Sequence, residues 1–272
     1  MSLITLTTDF GTKDHFIGAI KGAIYNELND ARVVDISHQI TPFNITETAY
    51  ILKNAYKKFP KGCIHIIDVD SELSIENKHI AIKLDDHYFI CANNGIMSMI
   101  ASEIKPEKIV EITIHNHLES YSAFVKVACH IARGGTLDVI GKPISEIKQL
   151  NEVYPFINKE NNQIVGSVIY IDNYGNVISN ITKKLFQDIG KGRPFEVKAR
   201  HYTFKKIFNK YNEIIDFDIP LAKRQVDGEK LAIFNVAEYL EISIYKSNLK
   251  SVGGASSLLG LDYRDSITVK FL

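Results

Sequence analysis

The first half of the chain switches repeatedly between short continuous apolar runs and longer stretches with helical spacing. Ile4 to Thr8 is a β-prone run that leads through Asp9 to a turn on Gly11. From Asp14 to Leu28, Phe16, Ile17, Ile20, Ala23, Ile24 and Leu28 recur on one helix face, which predicts a helix. Arg32 to Ile36 is a second short β-branched run, closed by the loop Ser37 to Phe43. Asn44-Ile45-Thr46-Glu47 has capping-box spacing and predicts a helix to about Lys58, stopped at Pro60-Lys61-Gly62. Cys63 to Val69 is almost continuously apolar, as expected of a strand buried on both faces. It delivers Asp70 into the polar loop Ser71 to Lys78. His79–Leu84 and His87–Ala92 read as a hairpin around Asp85-Asp86. Asn93-Asn94-Gly95 is a turn, followed by a helix from Ile96 to Ser102, a strand from Lys108 to Ile114, and a helix from Ser122 to about Arg133 closed by Gly134-Gly135.

This alternation predicts an α/β domain with a largely parallel sheet over residues 1–150. Residues 151–162 are polar and irregular and read as a linker. Beyond them the pattern is mostly strands: Gln163–Ile171, Pro194–Ala199, His201–Ile207, Lys230–Phe234, Leu240–Tyr245 and Ser266–Phe271. A smaller, all-β antiparallel barrel over 163–272 fits that pattern.

Composition narrows the function classes. Lys+Arg and Asp+Glu balance at 32 each in 272 residues, which argues against nucleic acid as a partner, since phosphate binding needs a basic excess. No apolar run spans a bilayer, and the N-terminus has no signal-peptide pattern. Cys63, Cys91 and Cys129 are odd in number and lie in apolar runs, which suggests reduced core thiols and a cytoplasmic location. No CxxC, HExxH, GxGxxG or Walker spacing occurs, so no metal motif or ordinary dinucleotide site is expected.

In an open α/β sheet, ligands gather where strands end and helices begin. Asp9 and Asp14 flank such a turn, so two carboxylates could meet one polar ligand there. Each also has a plain structural reading, Asp9 as a turn residue and Asp14 as a helix N-cap.

The blocks Leu6-Thr7-Thr8-Asp9-Phe10-Gly11, Gly18 to Gly22, Val34 to His38 with Thr41-Pro42-Phe43, Ala92 to Gly95, and Asp172 to Asn176 with Ser179-Asn180-Ile181 carry a resemblance. Their order and spacing are similar to those of the S-adenosylmethionine (SAM) hydroxide adenosyltransferases, a family that includes fluorinase and chlorinase enzymes. The resemblance runs nearly the full length and weakens toward the C-terminus. It implies an α/β domain followed by a small β-barrel and a homotrimer. SAM would lie between the N-terminal domain of one subunit and the C-terminal domain of its neighbour. The implied reaction is displacement at the ribose C5′ with L-methionine leaving and SAM as substrate, without a cofactor. Carried over residue by residue, Asp9 would bind the ribose hydroxyls and Phe43 would wall the ribose. Asp14 and Asp172 would hold the methionine ammonium. Tyr174 would stack on adenine and Asn176 would pair with its edge.

The catalytic set is where this chain departs from the family. Hydrolytic members use an Asp, an Arg seven residues later and a downstream His to position and activate water. Asp70 matches the Asp, Asn77 stands at the Arg position and Glu119 at the His position. The serine pair that receives the methionine carboxylate falls on Val236-Ala237, and the aromatic residue opposite Tyr174 falls near Leu221-Ala222. A carboxylate pair, Asp70 and Glu119, could leave one group poised as a base, and Lys78 or His117 could enter the vacated space. Hydrolysis of SAM to adenosine and L-methionine is the leading expectation. SAM or adenosine binding without turnover, and action on another adenosyl compound, are the alternatives. Two carboxylates disfavour a halide nucleophile.

Overall fold

The computed structural model describes every residue except Met1, Ser2, Ser102, Glu103, Asn116, Asn151, Glu152, Val153, Asn161 and Gln225. Ser102, the expected end of one helix, and four positions of the expected linker thus lie outside the described residues. The chain divides into two compact units, 1–151 and 152–272.

The first unit runs β1 (Leu3–Thr8), α1 (Phe16–Glu27), β2 (Arg32–Ser37), α2 (Ile45–Ala55), β3 (Ile64–Asp68), β4 (His79–Leu84), β5 (His87–Ala92), α3 (Ile96–Ile100), β6 (Lys108–Ile112), α4 (Ser120–Ala132) and β7 (Gly141–Pro143). These strands form one sheet in the order β2-β1-β3-β5-β4-β6-β7. Strands β2, β1, β3 and β5 are mutually parallel. The pairings β5–β4, β4–β6 and β6–β7 are antiparallel, so the expected largely parallel sheet is in fact mixed. The reason is local. Asp85 and Asp86 both take positive φ, 53° and 61°, and close a two-residue hairpin, which only antiparallel strands can share. Helices cover both faces. On one, Ile20 and Ile24 of α1 and Phe124 and Ala128 of α4 pack with Ile4, Leu6, Ile64 and Ile66. On the other, Leu52 of α2 and Ile96 and Met97 of α3 pack with Ile67, Ile80 and Phe89. The strict alternation of Ile66 and Ile67 between the two clusters is the period-2 signature of a strand buried on both sides.

Local signals explain most helix boundaries. Asn44 caps α2, accepting from the Glu47 nitrogen at 3.0 Å while its own amide donates to Glu47 Oε2 at 3.2 Å. Helix α1 begins at Phe16 with His15 as N-cap and no side-chain cap, so Asp14 does not cap it.

The second unit contains β8 (Phe156–Ile157), β9 (Gln163–Ile171), β10 (Val177–Thr182), α5 (Lys183–Gly190), β11 (Phe195–Ala199), β12 (Tyr202–Phe204), β13 (Ile207–Phe208), β14 (Lys230–Phe234), β15 (Tyr239–Ile244), α6 (Ala255–Leu259) and β16 (Ser266–Phe271). Its nine strands follow the path β12-β11-β16-β9-β10-β15-β14-β13, with β8 beside β9. Among the described residues, only β13–β14 is parallel. The two end strands of that path, β12 and β13, are separated in sequence only by Lys205-Lys206, so the sheet must curl back on itself into a barrel-like form. Strand β10 and helix α5 were not expected from the pattern. Strand β8 draws Phe156 and Ile157 of the expected linker into the sheet.

Candidate active site

Strands β1 and β3 are parallel neighbours, with Thr8 level with Asp68. The residues just past their C-terminal ends and the N-terminus of α4 enclose an open cleft of about 610 Å3. Its walls carry four carboxylates (Asp9, Asp70, Glu72 and Glu119) and four aromatic rings (Phe10, Phe16, Phe43 and Tyr121), with His117 at the side. Among the described residues, no Lys or Arg lines it. Such a site suits a cation with a flat apolar portion: the carboxylates supply the Coulomb attraction and the ring faces a second, quadrupolar one.

The loop after β1 and the loop after β2 are laced together. Gly11 N donates to the His38 carbonyl at 2.8 Å, and Thr8 Oγ1 lies 2.9 Å from His38 Nδ1. Phe43 N donates to Asp9 Oδ2 at 2.8 Å. Phe43 sits at φ 63°, a left-handed conformation an aromatic residue rarely adopts, and its side chain is 72% exposed over the cleft. The Asp9 contact helps hold it there.

Asp70 is also left-handed, at φ 46°. Its carbonyl is clamped by Asn94 Nδ2 at 3.1 Å and Asn77 Nδ2 at 3.0 Å. Asn94 also donates to the Val69 carbonyl and accepts from the Ile96 nitrogen, so the Asn93-Asn94-Gly95 turn anchors the end of β3. Gly95, at φ 101°, is required there because a Cβ would meet the Leu150 side chain at 2.2 Å. Asn77 further donates to the Glu72 carbonyl, so its amide bonds the 70–77 loop from behind and does not line the cleft. Glu119 is the N-cap of α4, with an exposed side chain that makes no capping bond. Asp14 is exposed and is not among the lining residues, and neither is Lys78.

One group here went unremarked in the sequence. Asp68 ends β3 fully buried. Its Oδ1 accepts hydrogen bonds from Ser71 Oγ and, at 3.2 Å, from Ser120 Oγ, while its Oδ2 has no hydrogen-bond partner among the described residues. Burial pushes its pKa up to about 6, the two serines pull it down and the charge of Asp9 adds to the rise. The sequence signal was a lone acid inside an otherwise apolar run.

In the second unit, Asp172 organises its own loop. Its Oδ1 accepts from the nitrogens of Tyr174 and Asn176 at 2.8 and 2.9 Å, and its Oδ2 from Asn176 Nδ2 at 2.9 Å. Gly175 turns the loop at φ 76°, where a Cβ would meet Leu249 at 2.7 Å. The result leaves Tyr174 62% exposed and Asn176 Oδ1 buried without a partner among the described residues, free to accept from an amino group. Val236 and the Leu221–Lys223 turn expose apolar side chains.

Cys63, Cys91 and Cys129 are buried free thiols. Among the described residues, no three His, Cys, Asp or Glu side chains are placed to share a metal ion, and no helix is long and apolar enough to cross a membrane.

Residues 4–141 match the SAM hydroxide adenosyltransferase N-terminal domain and residues 166–268 the corresponding C-terminal domain. An (R)-S-adenosyl-L-methionine hydrolase from Methanocaldococcus jannaschii is 30% identical over 99% of this chain and 96% of its own. A fluorinase from Actinoplanes is 19% identical over 92% and 95% of the two chains. The crystal structure of an uncharacterized conserved protein from Thermotoga maritima superposes with a TM-score of 0.80 at 24% identity, covering 99% of this chain and all of the other, and so shares the fold.

Proposed function

Because the chain belongs to the SAM hydroxide adenosyltransferase family, we propose that it hydrolyses SAM to adenosine and L-methionine by attack of water at the ribose C5′. The observation that carries this reading is the cleft itself: among the described residues, four carboxylates and four aromatic rings with no lysine or arginine. That surface attracts a sulfonium cation and repels a halide, which separates the hydrolytic from the halide-using reaction.

Asp9 receives the ribose hydroxyls through charge-assisted hydrogen bonds, with Phe43 as the wall of the ribose pocket. Asp70 accepts a hydrogen bond from the attacking water and holds it in line with the C5′–sulfur bond. A sulfonium sulfur leaves without protonation, so orientation and partial desolvation of the water are the main tasks and no cofactor or metal is needed. Glu119 adds negative charge opposite the sulfonium. Asn77 supports Asp70 through the loop. Tyr174 and Asn176 take the adenine ring, and Asp172 and Asp14 the methionine ammonium. The second unit of a neighbouring copy in a homotrimer supplies the adenine side. Reduced buried thiols accord with a cytoplasmic setting.

Incubation of the purified protein with SAM, followed by chromatography, tests the reading. Adenosine and methionine in equal amounts above the spontaneous rate are expected. Saturable binding of SAM or adenosine without turnover would replace the hydrolase reading with a nucleoside-binding one.

A further inference from the structure

The family set for activating water is altered at Asn77 and Glu119, yet a second set of polar groups reaches the same cleft. Ser71 and Ser120 both line it, and behind them lies Asp68, with no exposed surface of its own. Ser120 is the first residue of α4 and Ser71 follows β3, so two serines 49 positions apart in sequence converge on one carboxylate oxygen. The serine hydroxyls lie 3.1 Å from one another. Strand β3 carries only Ile64, His65, Ile66 and Ile67 before Asp68, so the carboxylate adds a charge to a core strand. Burying a carboxylate with one oxygen unpartnered is costly, and such groups concentrate where a site uses them.

We propose that Ser120 relays a proton from the attacking water to Asp68, which makes Asp68 the proton acceptor of the reaction. The inference rests on the hydrolase reading above. As the water oxygen bonds to C5′, the C5′–sulfur bond breaks and its electron pair stays on the methionine sulfur. One water proton passes to Ser120 Oγ, and the Ser120 hydroxyl proton passes to Asp68 Oδ1. Asp68 becomes a neutral acid that returns its proton to solvent when the products leave. Ser71 stays bonded to Oδ1 throughout and fixes its direction. Asp68 acts through Ser120 and is a positioning residue in this scheme.

Two properties favour this acceptor. Its raised pKa makes it a stronger base than an ordinary aspartate while leaving it ionised near neutrality. Its burial keeps the charge away from the sulfonium, so it does not pair with the substrate. Asp9, past the end of β1, is the titratable group whose charge bears on it; His79 of β4 bonds the Ser71 carbonyl at 2.8 Å and packs against Phe124.

The test is kcat and KM for SAM hydrolysis from pH 5 to 9 in the wild type, Ser120→Ala, Ser120→Thr and Asp68→Asn. In the wild type, kcat is expected to rise with pH through about 6 and then level off. Ser120→Ala should lower kcat about a hundredfold at pH 7 with KM unchanged, and its rate should keep rising with hydroxide concentration. Ser120→Thr, which keeps the hydroxyl, should recover most of the loss. If Asp68→Asn does not fold, the Ser120 pair decides. A wild-type kcat and pH profile in Ser120→Ala would overturn the relay while leaving hydrolysis standing. Absence of adenosine from the wild-type enzyme would overturn both.

Discussion

The main-chain nitrogen of Phe43 donates to Asp9 Oδ2 at 2.8 Å, so the carboxylate proposed to bind the ribose also holds the turn that carries the proposed ribose wall. Phe43 occupies a left-handed conformation that costs a non-glycine residue roughly 1–2 kcal/mol. Its ring is mostly exposed, so little core packing depends on it. Phe43→Gly is therefore expected to hold or raise the thermal midpoint while raising KM for SAM roughly five- to tenfold, the loss of one aromatic contact. Calorimetry and steady-state kinetics on the same preparation separate the two effects.

Asp70 and Glu119 line one cleft but are expected to fail differently. Asp70→Ala removes the group proposed to orient the water and should lower kcat by about 10²-fold or more, with KM little changed. Glu119→Gln removes one solvated charge facing a cation and should raise KM at most about fivefold, with kcat within a factor of a few. An unchanged kcat in Asp70→Ala would remove Asp70 from the mechanism.

His65 predicts acid lability. It accepts or donates to Thr5 Oγ1 at 2.7 Å and lies 3.0 Å from His87 Nδ1, all inside the core. Burial, with a smaller push from His87, lowers its pKa from 6.5 to about 3. Below pH 6.5 the unfolded chain therefore takes up a proton that the folded chain refuses, and stability falls as pH falls toward 3. Between pH 6.5 and 5 the loss is worth about 2 kcal/mol at 1.36 per pH unit. His79 and His87 shift in the same direction and add to it. Denaturant midpoints at pH 7.5 and 5 should show the drop in the wild type and a smaller one in His65→Gln.

Asp68 works in the opposite sense. Its folded pKa is raised from 3.8 to about 6, so the folded chain binds the extra proton between those values and gains stability as pH falls through them. Above pH 6 the ionised group costs at most about 3 kcal/mol. Asp68→Asn should therefore be more stable than the wild type at pH 8, and the gap should narrow to roughly half by pH 5 and close only below about pH 4. Urea unfolding at the two pH values gives the comparison.

Elements set by neighbouring residues were legible in the sequence. The hairpin around Asp85-Asp86 and the Asn44–Glu47 cap are written within a few positions and stand where expected. Pairing decided by distant contacts was not: β6 joins β4 antiparallel because the hairpin has already reversed the chain. Helix α5 had a readable signal, Thr182 capping the Leu185 nitrogen ahead of Leu185, Phe186 and Ile189, but a strand-dominated context hid it. Asp9, Asp70 and Glu119 were nameable in advance, and all three line one cleft. Asp68 was not, because its significance depends on Ser120, 52 positions away in the chain.

The short link Lys205-Lys206 between the two outermost strands of the second sheet has a consequence for behaviour in crowded solution. Open sheet edges are templates on which other chains add strands. Here the path ends in strands only three and two residues long, β12 and β13, with two lysines between them, and the off-path strand β8 is two residues long. Short strands and lysine charge both discourage intermolecular strand addition. A sheet of nine strands thus offers a neighbouring molecule almost no place to begin a fibril.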